Sequence, residues 1–105
     1  MLHLDESYNE REIELRVGEE FEIRLPENPT TGFRWSLASD GEPVCVLQSD
    51  FFEPTDGTPG RGGSHYWRFQ AVQVGLGNID LVYQRSFEQG VTPARRFTLD
   101  VRIHA

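Results

Sequence analysis

Nucleophilic chemistry in this chain would have to start at Cys45, the one cysteine present. Paired with His65 it would form a thiol–imidazole dyad, the simplest arrangement for covalent catalysis. Cys45, however, sits between Val44 and Val46 in a short apolar run. A free cysteine there behaves as a small buried hydrophobe with an inert thiol. One cysteine forms no intramolecular disulfide and no zinc site by itself, so the redox compartment is left open. His3, His65 and His104 show no metal-ligand spacing and read as surface or edge residues. The acidic residues fall on the polar sides of alternating runs and read as solvated. No H-E-x-x-H, G-x-S-x-G or EF-hand pattern occurs. These residues predict no enzyme, no cofactor and no metal.

Two other stretches carry unusual residue types. Gly60-Arg61-Gly62-Gly63 is glycine-rich, but it leads into a strand rather than a helix and lacks G-K-[ST], so it is not a phosphate cradle. Two readings stay open for it: a plain loop tip, or a backbone that lies close against another protein. In Asn28-Pro29-Thr30-Thr31-Gly32, Pro29 fixes its own φ and pushes Asn28 to an extended conformation. The two threonines are stiff at χ1, and Gly32 permits the turn back. A tight reversal and a preorganised binding loop both fit this stretch.

The elements that hold these stretches follow from period-two alternation. Ile13/Leu15/Val17, Phe21/Ile23/Leu25, Phe33/Trp35/Leu37, Trp67/Phe69/Ala71, Ile79/Leu81/Tyr83 and Phe97/Leu99/Val101/Ile103 each alternate mainly with polar residues. Each run buries one face of a strand and leaves the other wet. Val44–Leu47 and Asp50–Glu53 read as two shorter strands. No long helical periodicity is present. The pattern predicts an all-β, immunoglobulin-like antiparallel β-sandwich of about seven to eight strands, with residues 1–105 as a single domain. Its inward residues should include Ile23, Leu25, Trp35, Leu37, Trp67, Phe69, Leu81, Tyr83, Phe97, Leu99 and Val101.

A net charge of −7 argues against general nucleic-acid binding, and no apolar run reaches the length of a membrane span. The first residues carry neither a basic n-region nor an apolar h-region. The expected location is cytoplasmic by default, or periplasmic or secreted if a leader has been removed. A monomer is expected.

Three connections exceed simple turns: residues 26–32, 54–63 and 85–93. In a sandwich, alternate connections emerge at one end, so these three would share an edge, where binding function usually sits. The chain resembles the chagasin-type inhibitors of papain-like cysteine peptidases. Their N-P-T-T-G-[FY] motif is present as Asn28 to Phe33, followed by Trp35, and their G-x-G-G motif as Gly60, Arg61, Gly62 and Gly63. Their R-P-W motif is present in part, as Arg85, Ser86 and Phe87.

The resemblance implies a reversible inhibitor that occludes a peptidase cleft. Thr30 and Thr31 would enter beside the catalytic cysteine of the enzyme. Gly60 to Gly63 would run along one side of the cleft, and Arg85 and Phe87 would meet the other rim. Two rivals stand beside it. One is a non-inhibitory immunoglobulin-like binding module for a glycan or peptide, built on Trp35, Tyr66, Trp67 and Phe87. The other is a structural sandwich domain.

Overall fold

A computed structural model describes residues 1–55, 61–85 and 92–105. Eight strands run in chain order: β1 (Leu2–Leu4), β2 (Arg11–Arg16), β3 (Glu20–Glu27), β4 (Phe33–Asp40), β5 (Cys45–Pro54), β6 (Gly63–Ala71), β7 (Gly75–Arg85) and β8 (Arg95–His104). They form two four-stranded sheets, ordered β1-β3-β6-β5 and β2-β8-β7-β4. The helical content described is two 3-10 turns, Glu6–Tyr8 and Pro29–Thr31.

The alternating residues meet between the sheets. Phe21, Ile23, Leu25, Trp35, Trp67, Phe69, Ala71, Ile79, Leu81, Phe97, Leu99, Val101 and Ile103 are buried in one core. Leu37 and Tyr83 pack against it partly buried. Cys45 is fully buried in the same core, and burial pushes its thiol up to about 11. Val17, expected to continue the inward row of β2, is instead exposed beyond the end of that strand.

The antiparallel expectation needs one correction. β1 runs parallel to β3, and β2 runs parallel to β8. The N-terminal segment therefore lines an edge of the first sheet, crosses through Asp5–Glu10, and then lines an edge of the second. The remaining pairings are antiparallel.

A second correction concerns 45–54, which is one strand rather than two. Cys45 and Leu47 pair with Ala71 and Phe69, while Asp50, Phe52 and Pro54 pair with Trp67, His65 and Gly63. The register shift between Leu47 and Ser49 is a bulge. It moves the core-facing parity from odd to even residues, so that alternation breaks in the sequence while the strand continues in space.

Candidate functional site

The registers bring the described ends of the three long connections to one edge. Glu27 at the end of β3 and Pro54 at the end of β5 both pair with Gly63 at the start of β6. In the other sheet, Phe33 at the start of β4 pairs with Arg85, and Arg95 at the start of β8 pairs with Tyr83. The two levels are tied together: the Asn28 amide donates to the Tyr83 hydroxyl at 3.2 Å.

The first connection is a knuckle braced by its own groups. Asn28 is extended (φ −126°), Pro29–Thr31 form a 3-10 turn, and Gly32 takes the left-handed conformation at φ 83°. Asn28 Oδ1 caps the turn, accepting from the Thr30 amide at 3.2 Å and from Thr30 Oγ1 at 2.6 Å. Thr31 Oγ1 donates to the Asn28 carbonyl at 2.7 Å, and the Gly32 amide donates to the Pro29 carbonyl at 3.0 Å. Thr30 and Thr31 are exposed, while Phe33 is half-buried. The cis peptide among the described residues lies at Glu42–Pro43, not in this loop.

Of the second connection, Gly60 lies outside the described residues. Arg61 is exposed, and the Thr55 amide donates to the Gly62 carbonyl at 3.1 Å, closing the loop's base. Both remaining glycines have an internal reason. Gly62 has φ 74°, and a Cβ there would lie 2.9 Å from the Glu27 carbonyl oxygen. A Cβ on Gly63 would collide with the Glu53 carbonyl oxygen.

Of the third connection, Ser86 and Phe87 lie outside the described residues. Arg85 sits 4.6 Å over the Phe33 ring, which stacks on Tyr83 at 5.4 Å. Trp35 packs on the same Tyr83 at 4.8 Å. An aromatic stack thus supports the first and third connections from below.

Two residues whose types suggest a solvated or edge position belong to this edge. Glu27 is 3 % exposed, although the acidic residues were expected to be solvated. Its Oε2 accepts from the Trp35 amide at 2.8 Å, and its Oε1 meets His65 Nδ1 at 2.9 Å. His65, expected at the surface or at an edge, stacks on Trp67 at 4.1 Å and turns its Nε2 to Asp50 Oδ2 at 2.7 Å. The signal for both was the alternation itself. Glu27 continues the inward row Phe21, Ile23, Leu25, and His65 precedes Trp67, Phe69 and Ala71. Glu22 is buried as well, held by Arg68 Nε at 2.7 Å.

The geometry disposes of the thiol–imidazole dyad and removes both tryptophans from the aromatic platform. Cys45 pairs with Ala71 and His65 with Phe52, so the two lie toward opposite ends of the β5–β6 ladder and form no dyad. Trp35 and Trp67 are 6 % and 3 % exposed, so neither offers a face to a glycan. No group of metal-binding side chains exists among the described residues.

The sequence and the fold are both similar to those of known proteins. Residues 14–101 match the description "Chagasin family peptidase inhibitor I42". The chain is 30% identical to chagasin of Trypanosoma cruzi over 98 residues, covering 89% of each protein. It is 32% identical to amoebiasin-1 of Entamoeba histolytica over 102 residues, covering 97% of this chain and 99% of that one. Its fold matches the crystal structure of the cysteine protease inhibitor EhICP2 from Entamoeba histolytica. That match has a TM-score of 0.84 at 23% identity, over 98% of this chain and 94% of that one.

Proposed function

This chain belongs to the chagasin family of peptidase inhibitors, and from that premise we propose how it blocks papain-like cysteine peptidases: by seating its loop edge in their active-site cleft. The observation that carries the mode is the exposed Thr30–Thr31 knuckle, braced by Asn28 and set at the edge where the described ends of the other two connections also lie. Rigid loops lose little entropy on docking, so buried contacts convert efficiently to affinity. In this reading the backbone at Gly60 to Gly63 flanks one side of the cleft. Arg85, Ser86 and Phe87 meet the other rim, with arginine and aromatic side chains as anchors.

In this reading the knuckle also resists cleavage. Attack by a thiolate requires the scissile carbonyl to be held in line and within reach. Pro29–Thr31 is curled in a 3-10 turn whose hydrogen bonds would have to break before the chain could straighten.

The test is a steady-state inhibition assay on papain and a cathepsin. A Ki between ~1 nM and ~1 μM is expected, equivalent to about 8–12 kcal/mol. Serine peptidases should be unaffected. The absence of inhibition at about 100 μM, where even binding of ~5–6 kcal/mol would register, overturns the reading.

A further inference from the structure

We propose that Glu27, His65 and Asp50 form a proton-dependent clamp, with His65 as a positioning residue that fixes the first loop against the second. The proposal rests on the inhibitory reading above and adds residues that the three loop motifs do not contain.

The clamp spans three strands just beneath the loop edge. Glu27 is the last residue of β3, one position before the Asn28 knuckle. His65 lies two residues into β6 from Gly63, at the exit of the glycine-rich connection. Asp50 comes from β5, which enters that connection. One Glu27 oxygen holds the Trp35 amide, immediately beyond the first loop, and the other holds His65. A single buried carboxylate thus joins both sides of the first loop to the exit of the second. Stacking of the imidazole on Trp67 fixes the ring plane that aims its two nitrogens at the two carboxylates.

Proton count decides whether the clamp is closed. Carboxylates accept only, and a neutral imidazole carries one N–H. With both carboxylates ionised, the two contacts at 2.9 Å and 2.7 Å need a proton on each ring nitrogen. Shifting a proton from the ring to either carboxylate keeps the chain joined. Removing one leaves a ring lone pair facing a carboxylate lone pair, and one contact opens. Glu27 faces the ring from β3, Asp50 faces it from β5, and Arg61, Arg95 and Tyr83 line the same cleft as Glu27. The remaining histidines sit elsewhere, His3 on Glu22 and His104 on Glu14.

The experiment compares wild type, His65→Gln and Glu27→Gln on one papain preparation from about pH 5 to about pH 8.5, across the histidine range. Taking the ratio of Ki values at each pH cancels the enzyme's own ionisations. At the acid end both variants should inhibit roughly 5- to 30-fold more weakly, as expected when a buried charged hydrogen bond loses a partner. That gap should close as pH rises through the His65 titration, followed by its ring proton resonances. A purely structural role would lower the melting temperature but leave the Ki of the folded protein and its pH profile unchanged. Equal Ki values, or a ratio constant with pH, overturn the clamp.

The amide resonances of Trp35, Thr30 and Thr31 supply a readout free of peptidase. In the wild type they should shift with the same midpoint as the His65 ring, and independence from that midpoint overturns the clamp even if a variant fails to fold. A wild type that inhibits nothing while these amides follow His65 would remove the inhibitory reading and leave the clamp standing.

Discussion

Asn28 makes more of the first loop than any residue at its tip. Its side-chain oxygen takes two hydrogen bonds from Thr30, its carbonyl takes two from Thr31, and its amide reaches Tyr83. Asn28→Ala should therefore weaken papain inhibition about tenfold and lower stability by about 0.5–2 kcal/mol, the usual cost of losing such a cap. Asn28→Asp keeps the acceptor and should stay within about threefold of wild type. Thr31→Ala should act mainly on the dissociation rate, since it trims a short-range contact. Surface plasmon resonance on immobilised papain separates these outcomes, and equal dissociation rates for wild type and Asn28→Ala would count against the knuckle. Cys45 makes the opposite case. Its buried thiol, raised to about 11, stays protonated at neutral pH and out of reach of reagents. Ellman's reagent should label it only after denaturation, and Cys45→Ala should leave Ki unchanged while costing about 1 kcal/mol. The sequence pointed to Cys45 and the knuckle through residue type. It pointed to Glu27 and His65 only through parity, and residue type argued the other way.

At the scale of strands, the glycine-rich connection shows how one pattern carries two causes. Gly62 and Gly63 resemble a backbone kept bare for a partner, and both are also required by this chain's own fold. Gly62 needs its positive φ, and Gly63 abuts the β5 backbone where Pro54 pairs with it. Gly63→Ala should destabilise by about 2–4 kcal/mol, because a collision with backbone cannot be relieved by a rotamer change. Gly62→Ala should cost about 1–2 kcal/mol through its left-handed φ. Urea denaturation measures both, and a neutral Gly63→Ala would show that the β5–β6 register here is loose. A bulky residue at Gly62 would distort the loop before it met any enzyme, so loss of inhibition there would not by itself report an interface. The bulge at Gln48 explains why the sequence suggests two short strands where one long strand runs. Alternation is readable only while parity holds, and one inserted residue splits a ten-residue strand into two apparent short ones. Pairing direction is even less legible, because β1 and β2 present the same alternation whether they run parallel or antiparallel to their neighbours.

For the molecule as a whole, the sandwich should act as a rigid support whose stability and inhibitory power are separable. One continuous core joins both sheets, and the loop edge is tied to it by Tyr83, Trp35 and Glu27 rather than by the far end. Affinity belongs to the folded population, so a loss of stability changes Ki only when the unfolded fraction becomes appreciable. Leu99 tests this. It is fully buried on β8, paired with Arg11 of β2 and Ile79 of β7, and makes no contact with the loops through these registers. Leu99→Ala removes buried methyl groups and leaves a cavity, at a cost of about 2–5 kcal/mol. A domain of this size has about 5–15 kcal/mol to lose, so a variant near the lower cost remains folded at room temperature. Its melting temperature should fall by roughly 10–30 °C, with Ki for papain within about twofold of wild type. At about pH 5, where His65 is protonated, Glu27→Gln should show the reverse pattern, a larger change in Ki for a smaller change in melting temperature. If Leu99→Ala weakened inhibition in step with its loss of stability while circular dichroism still showed a folded sheet, the core would be relaying its packing to the loops. The edge would then be a deformable surface that tightens on the enzyme, and not a wedge formed in advance.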